Sequence, residues 1–182
     1  GKNRTAGIKD LKKLGLKYNF NVIEISAEEQ NNISISSTKI RNSIIEGNIR
    51  KANSFLGYDF SLKGKVIKGN KIGRTIGFPT ANLEIDEEYK LIPKNGVYLI
   101  YTKFEKQVFF GMMNIGVKPT LKFKKESIEV NLFDWEKDIY GEFIEVFFLD
   151  YIRDEKKFDS LIELTHQIKI DKKTCLKLIE EK

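Results

Sequence analysis

The sequence has 182 residues, of which 41% are hydrophobic and 32% are charged, and it carries a formal net charge of +6. This composition is typical of a globular protein and excludes a disordered chain; no apolar run approaches the ~18 residues that cross a bilayer, and no signal-peptide core follows the N-terminus. The only cysteine, Cys175, and the only histidine, His166, exclude an internal disulfide, a Cys- or His-rich metal site and, in practice, Ser–His or Cys–His catalysis. We expect a cytoplasmic protein without a membrane partner.

The first segment has the pattern of an α/β domain. Apolar side chains follow helical spacing over residues 8–18, and residues 21–25 (NVIEI) are typical of a short strand. A helix that leads into a strand is the repeating unit of a parallel α/β sheet, and one unit cannot form a sheet alone. We therefore expect a partial α/β domain here, and the absence of an initiating methionine favours a fragment of a longer protein.

The next segment predicts two short helices. The hydroxyl side chains of residues 36–38 can cap a helix that Gly47 ends, and residues 48–56 form a second helix that ends at Gly57. The pattern changes from helical to extended at this point. We therefore place a domain boundary between residues 56 and 57.

From residue 58 the chain becomes a series of short segments rich in Val, Ile, Phe and Tyr. The predicted strands are residues 60–67, 96–104, 108–115, 128–133 and 143–148. Turns are expected at residues 94–96 and 104–107. Strands without helices between them indicate a closed antiparallel barrel or a sandwich. Acidic residues at 154–155, followed by helical apolar spacing as far as Ile179, predict helices at the C-terminus.

Residues 69–82 (GNKIGRTIGFPTAN) have the composition of a ligand-binding loop and the pattern of neither a strand nor a helix. The groups that can contact an anion are three glycines and two basic residues: Gly69, Gly73, Gly77, Lys71 and Arg74. Pro79 fixes the backbone before Thr80. The oxygens of Thr80 and Asn82 point to the same side of an extended segment, so both can reach one magnesium ion. Judged alone, the segment fits a ligand-free surface loop better, because short motifs match by chance.

The string at residues 73–83 (GRTIGFPTANL) resembles the signature of riboflavin kinases. The resemblance keeps its order and spacing through residues 95–98 (NGVY), 114–120 (NIGVKPT), 129–132 (EVNL), 138–141 (DIYG) and 148–160 (FLDYIRDEKKFDS). It implies a mainly β fold, a six-stranded Greek-key barrel with C-terminal helices. It also implies that ATP and Mg²⁺ are used to phosphorylate the ribityl 5′-hydroxyl of riboflavin, giving FMN and ADP.

The resemblance further implies the roles of individual residues. In that family a glutamate before the Asp-x-Tyr-Gly turn is the catalytic base, and Glu129 holds this place; a carboxylate in reach of the hydroxyl can accept its proton. Thr80 and Asn82 hold the places of magnesium ligands. The residues expected to contact the nucleotide or flavin are Gly69, Lys71, Gly73, Arg74, Gly77, Pro79, Thr80, Asn82 and Asn114. Many relatives have histidine where this chain has Asn131, which keeps hydrogen bonding and loses the charge. Arg153 fits the flavin end or a surface salt bridge equally well.

Residues 35–41 (ISSTKIR) resemble a motif of the FMN adenylyltransferase module that precedes this kinase in bacterial bifunctional FAD synthetases. Hydroxyl and basic groups at a helix N-terminus suit a phosphate, although the hydroxyls can equally serve as helix caps. The sequence has no HxGH-type nucleotide motif. We therefore expect a Rossmann-like nucleotidyltransferase remnant with linker helices over residues 1–56, a kinase domain over residues 57–182, and adenylyltransferase activity only in a longer parent protein.

Two alternatives stay open at this stage. A basic β-barrel can bind nucleic acid through exposed aromatic residues, for which the candidates are Tyr98, Tyr101, Phe104, Phe109 and Phe110. Strand alternation places at least half of these in the core, and the motif at residues 79–82 stays unexplained, so we expect no nucleic-acid partner. A flavin-binding domain without turnover is disfavoured by the presence of Glu129, Thr80 and Asn82. The sequence does not indicate an oligomeric state.

Overall fold

The computed structural model of the protein describes residues 7–24, 29–30, 33–69, 72–87, 89–119 and 124–181. The helices are α1 (Ile8–Tyr18), α2 (Ser37–Ile45), α3 (Ile49–Leu56), α4 (Ile72–Thr75) and α5 (Leu161–Glu180). The strands are β1 (Glu29–Gln30), β2 (Ile33–Ser34), β3 (Ser61–Ile67), β4 (Ala81–Glu84), β5 (Gly96–Phe104), β6 (Gln107–Pro119), β7 (Lys124–Leu132) and β8 (Phe143–Arg153). These elements form two compact units, Gly1–Ser36 and Ser37–Lys182. The predicted boundary between residues 56 and 57 stays a prediction.

The first unit contains the predicted helix and a small antiparallel pair. Helix α1 covers Ile8–Tyr18, as its apolar spacing predicts, and the backbone N–H of Gly7 donates to the Asp10 carboxylate at 2.9 Å. Strands β1 and β2 pair with each other. The predicted strand at residues 21–25 is wrong for its described part, since residues 21–24 are irregular; Ile25 lies outside the described residues. A strand forms only where a neighbouring strand takes up its backbone hydrogen bonds.

The second unit is built around a closed six-stranded barrel in which every neighbouring pair is antiparallel. The strand order is β3-β4-β7-β6-β5-β8, and β8 pairs with β3 to close the barrel. Strands β5, β6 and β7 follow one another, and β8 returns to lie beside β5, which is the arrangement of a Greek key. The predicted Greek-key barrel is therefore confirmed.

Alternation along each strand divides the apolar side chains between two clusters. On β5, Tyr98 and Ile100 point into the barrel, where they join a core that includes Phe148. Val97 and Leu99 point outward and pack beneath α5, around the fully buried Cys175. Because both faces of β5 are covered, its first five residues, 96–100, form an unbroken buried run.

The helices before the barrel follow the sequence prediction. Helices α2 and α3 end next to Gly47 and Gly57, which have left-handed φ angles of 80° and 76°. Helix α3 is held to the barrel by Asn53, whose amide nitrogen donates to the Phe148 carbonyl at 2.8 Å and whose amide oxygen accepts from the Phe60 N–H at 2.9 Å. These helices therefore share a unit with the barrel.

The C-terminal helical segment begins later than the sequence suggests. Strand β8 continues to Arg153, residues 154–158 are irregular, and α5 begins at Leu161. The helix starts there because the Ser160 hydroxyl accepts the Glu163 N–H at 3.2 Å, and a serine cap outweighs acidic residues further upstream. Among the described residues one helix follows the barrel. Within that described part, no helix is long and apolar enough to cross a membrane.

The loop at residues 69–82 contains more regular structure than predicted. A single helical turn, α4, covers Ile72–Thr75, and a short strand, β4, covers Ala81–Glu84. Strand β4 lies between β3 and β7 and is therefore needed to close the barrel. Sequence patterning missed it because four residues are too few for a clear alternation.

Candidate active site

Strand β7 carries a row of polar side chains on its outer face. Ser127, Glu129 and Asn131 alternate with Ile128 and Val130, which point into the barrel core. The Ser127 hydroxyl donates to the Glu129 carboxylate at 3.3 Å. Three polar groups therefore lie on the outer face of β7, between the neighbouring strands β4 and β6.

The strand register places two further predicted site residues beside Glu129. Glu129 pairs with Asn82 on β4 and with Asn114 on β6. Directly opposed residues in antiparallel strands have Cβ atoms about 4.5–5.5 Å apart and point to the same face. The row continues through Val97 to Arg153. The barrel thus brings together three residues that are 32 and 15 positions apart in the sequence.

Two glycines allow the segment before β4 to lie close to these side chains. A Cβ atom on Gly69 would overlap the amide of Asn82, and a Cβ atom on Gly73 would clash with the Phe78 carbonyl oxygen and lie 3.2 Å from the Thr80 hydroxyl oxygen. Any larger residue at these positions would displace the oxygen-bearing side chains. The glycines therefore set the positions of Thr80 and Asn82 by leaving space for them.

The rest of the segment forms a turn around α4. The Phe78 N–H donates to the Gly73 carbonyl at 2.8 Å, which folds the chain back toward β4. Arg74 is exposed on α4, and Gly77 is exposed in the turn that follows. Lys71 lies outside the described residues.

A first cavity lies on one side of this segment and has a volume of about 400 Å³. Its wall contains Arg74, Pro79 and Thr80 together with residues from the loop after β7. That loop contributes Trp135, Glu136, Lys137, Asp138, Ile139 and Tyr140. The first cavity therefore combines an aromatic and apolar surface with two basic and two acidic side chains.

The second cavity has a volume of about 300 Å³ and lies between the outer face of the barrel, the segment before β4, and α5. One part is polar, with Thr80, Asn114, Glu129 and Asn131. The remainder is mainly apolar and is lined by Ile76, Phe78, Val97, Met112, Phe158, Leu164 and Ile168. Thr80 belongs to the walls of both cavities. The two spaces therefore adjoin the same hydroxyl group.

A buried ion pair supports the far side of the second cavity. The Arg153 guanidinium donates to the Asp171 carboxylate at 2.7–3.1 Å, and their side chains are 15% and 3% exposed. The amide of Gln167 donates to the same carboxylate at 2.8 Å. This network joins β8 to α5. It pairs Arg153 with Asp171 in the wall of the second cavity, at a buried position and not in a surface salt bridge.

The carboxylate of Asp154 ties the loop after β8 to neighbouring residues. Asp154 accepts from the Tyr151 hydroxyl and pairs with Lys94, both at 2.6 Å. The hydrogen bond from Lys94 lowers the pKa of Asp154, and the same bond raises the pKa of Lys94. Burial raises the pKa of Tyr151. The loop that lines the second cavity is therefore tied to the barrel at its first residue.

The aromatic residues required by the nucleic-acid alternative are packed against other groups. Tyr98 is fully buried. Phe104 and Phe109 both pack edge-on against Trp135, and Tyr101 stacks on Phe147. Phe110 packs against the cluster beneath α5. None of these five side chains is exposed, so the structure does not support this alternative.

The comparison with known proteins decides the family. The model of the Flavokinase family, described as riboflavin kinase, matches residues 56–179. The chain belongs to the riboflavin kinase family. The flavokinase match covers the whole barrel and nearly all of α5.

Curated flavokinase relatives resemble the chain over most of its length. The bifunctional riboflavin kinase/FMN adenylyltransferase of Buchnera aphidicola subsp. Acyrthosiphon pisum is 47% identical over 94% of this chain and 55% of its own length. The protein of the same name from Bacillus subtilis is 43% identical over 79% of this chain and 46% of its own length. The chain thus spans about half the length of the curated relatives it matches.

A solved structure with the same fold carries a different name. A Streptococcus pneumoniae crystal structure, titled as a macrolide-efflux protein, superimposes with a TM-score of 0.82 at 38% identity. The match covers 93% of this chain and 55% of that one. The shared fold extends beyond the flavokinase barrel to include most of the described elements.

The structure adds contacts to the flavokinase site that the sequence interpretation missed. Ser127 contacts Glu129, and the amide of Asn131 donates to the Pro79 carbonyl at 2.7 Å. Asp171 pairs with Arg153 from another element. The alternation of polar residues at 127, 129 and 131 indicates that their side chains share one face, which is a sequence signal for the contacts of Ser127 and Asn131. No local signal links residues 153 and 171, since the contact depends on how α5 packs.

Proposed function

We propose that the barrel domain transfers the γ-phosphoryl group of ATP to the ribityl 5′-hydroxyl of riboflavin and gives FMN and ADP. One observation carries the proposal: Asn82, Glu129 and Asn114 stand side by side on three neighbouring strands, next to two cavities that share Thr80. Family membership supplies the reaction class. The activity and substrates of a longer protein that contains this chain are part of the same proposal.

Glu129 is proposed as the general base. Its carboxylate lines the polar part of the second cavity, where a hydroxyl that enters from the apolar part reaches it. The carboxylate accepts the hydroxyl proton as the oxygen attacks phosphorus, a contribution of about 10²–10⁴-fold to the rate. The hydrogen bond from Ser127 orients the carboxylate toward one face of the sheet.

The second cavity is proposed to bind riboflavin. A flavin ring is flat and largely apolar, and most of this cavity is lined by apolar side chains, with Phe78 and Phe158 among them. The ribityl chain then points to the polar end at Glu129 and Asn114. Binding in this orientation places the 5′-hydroxyl against the base, and such orientation is a large part of phosphoryl-transfer catalysis.

The first cavity is proposed to bind the nucleotide. Arg74 supplies positive charge for phosphates, and Trp135 supplies an apolar surface for the base. The shared residue Thr80 lies where the terminal phosphate must pass between the two cavities. Gly69, Gly73, Gly77, Pro79 and Lys71 complete the proposed phosphate segment.

The oxygen donors at the junction suit magnesium. Thr80 and Asn82 provide neutral oxygen atoms, and the missing Cβ atoms of Gly69 and Gly73 let the backbone pack directly against these residues. No cluster of three His, Cys, Asp or Glu residues that could hold a metal is found in the described part of the chain. These residues would hold magnesium, which would supply positive charge to neutralise the phosphates during transfer. Thr80 and Asn82 are therefore the proposed ligands.

A turnover assay tests the proposal directly. The protein is incubated with riboflavin, ATP and MgCl₂, and FMN and ADP are separated and quantified. We expect both products in equal amounts, and no FMN when EDTA removes the metal. A folded protein that binds flavin and forms no FMN contradicts the proposed activity and supports the binding-domain alternative.

Glu129→Gln tests the base. We expect flavin affinity close to that of the wild type and turnover lower by roughly 10²-fold or more, because the amide cannot accept the proton. Glu145→Gln is the matched control, since Glu145 is also a strand glutamate on the outer barrel face and accepts from a serine, Ser61, at 2.6 Å. The control should retain wild-type turnover. Equal turnover in both variants removes Glu129 from the role.

The remaining parts of the proposal concern the longer protein. We propose that residues 1–56 are a nucleotidyltransferase remnant with linker helices and that a parent protein also adenylylates FMN, as the names of the curated relatives state. This chain alone should form no FAD from FMN and ATP. A cytoplasmic location is proposed as well, since the free thiol of Cys175 suits a reducing compartment.

A further inference from the structure

Asn131 makes a contact that connects β7 to the segment before β4. Its side-chain nitrogen donates to the Pro79 carbonyl oxygen at 2.7 Å, and the residue is only 6% exposed. The two residues are 52 positions apart in the sequence. This hydrogen bond is specific, because a buried amide donor or carbonyl acceptor that lost its partner would cost free energy.

The register of β4 against β7 shows that this contact lies just beyond the end of their paired segment. The β4–β7 ladder contains two pairs, Ala81 with Val130 and Asn82 with Glu129. One further step in the same register places Thr80 opposite Asn131. Backbone pairing stops before that step, and the Asn131 side chain takes the carbonyl of the preceding residue instead.

We propose that Asn131 is a positioning residue that fixes Thr80 relative to Glu129. It holds the residue before Thr80, and it belongs to the same strand as Glu129, two positions away. A change in this contact therefore moves the proposed metal and nucleotide ligand without altering the base. The inference rests on the proposed kinase function and assigns Asn131 a hydrogen-bonding role that needs no charge.

The backbone of Asn131 cannot move to compensate. A Cβ atom on Gly111 of β6 would clash with the Asn131 carbonyl oxygen, so the two strands are in close contact at this point. Asn131 also pairs with Met112 in the β6–β7 ladder. The amide is therefore attached to a rigid strand, as a positioning group must be.

Asn131→Leu tests the inference because it keeps the branched shape of the side chain, with a modest increase in size, and removes the donor. We expect the KM for Mg-ATP to rise about 10-fold and kcat to fall, the effect of one lost hydrogen bond on a positioned group. The KM for riboflavin should change less than about 2-fold, since the apolar side chains that line most of the second cavity are left unchanged. Asn131→His restores an N–H donor and should recover most of the Mg-ATP affinity.

Asn53→Leu is the matched control. Asn53 also bonds backbone groups through its amide, but between α3 and the barrel and not at either cavity. It should lower the melting temperature and leave both KM values unchanged. If Asn131→Leu does not fold, Asn131→Ala also removes the donor without adding a charge, and the KM for Mg-ATP should rise by a similar factor.

The outcomes separate the two proposals. A wild-type protein that forms no FMN contradicts the kinase function itself. An active wild type with an unchanged KM for Mg-ATP in Asn131→Leu overturns the positioning role alone. The same KM increase in Asn53→Leu also overturns it, because loss of stability would then explain the result.

Discussion

Removal of one partner from the ion pair between Arg153 and Asp171 should be one of the most destabilising single changes in the barrel unit. Asp171→Asn keeps the side-chain size and removes the charge, so that a guanidinium only 15% exposed loses its carboxylate partner. Breaking one side of a buried pair typically costs about 3–5 kcal/mol. Because Arg153 keeps some contact with water, we expect a loss near the lower end, about 3 kcal/mol.

Such a loss is a large part of the total free energy of unfolding, which for a domain of this kind is about 5–15 kcal/mol. The measurement is urea unfolding followed by circular dichroism, with the free energy and the m-value fitted together. The double variant Arg153→Leu/Asp171→Leu should lose less than Asp171→Asn, since it leaves no unpaired buried charge. Both changes alter the wall of the second cavity, so the KM for riboflavin should rise in parallel.

The control for this prediction lies on the same helix. Lys177 and Glu181 form an exposed i,i+4 pair at 3.8 Å, with side chains 77% and 57% exposed. Glu181→Gln should change the free energy of unfolding by less than about 0.5 kcal/mol. A loss below about 1 kcal/mol for Asp171→Asn, or one equal to that of the control, would refute the reasoning from burial.

Three further predictions follow from the site and the core. Asn82→Ala should weaken Mg-ATP binding in calorimetry and reduce its magnesium dependence; unchanged affinity would remove Asn82 as a ligand. Gly73→Ala should lower kcat/KM by about 10²-fold with a smaller effect on melting, because the new methyl group clashes with the Phe78 carbonyl and shifts the segment; wild-type kinetics would contradict this. Burial raises the pKa of the Cys175 thiol from 9.0 to about 12. Because the thiol of the unfolded chain ionises at lower pH than the buried thiol, the free energy of unfolding should fall as the pH rises from 9.0 toward 12, by up to about 1.4 kcal/mol per pH unit. Urea unfolding at pH 8 to 10 should show a smaller fall for Cys175→Ala than for the wild type. Equal falls in the two proteins would contradict the role of the thiol.

Much of the fold could be predicted from local patterns. Helix α1, the two capped helices and five of the barrel strands follow from helical spacing, glycine stops and runs of Val, Ile, Phe and Tyr. Strand β4 could not be found in this way, because its four residues are fixed by their neighbours β3 and β7. The acidic residues at 154–155 predict a helix start six or seven residues before the observed start of α5, because acidic residues are a weaker start signal than the Ser160 cap.

The site was predictable in composition but not in arrangement. The motif at residues 73–83 indicated Thr80 and Asn82, and the motif order indicated Glu129. That Asn82, Glu129 and Asn114 are lateral neighbours depends on the register of three strands, which no local pattern determines. The hydrogen bond from Asn131 to the Pro79 carbonyl depends on the same register. The sequence shows that asparagine stands here where many relatives have histidine, but only the structure shows which group this side chain contacts.

The most direct test of the account is FMN formation from riboflavin, ATP and magnesium by three proteins in parallel. We predict full activity in the wild type and in Glu145→Gln, and turnover lower by roughly 10²-fold or more in Glu129→Gln with flavin affinity retained. Wild-type turnover in Glu129→Gln, or a folded wild type that forms no FMN, would contradict the account.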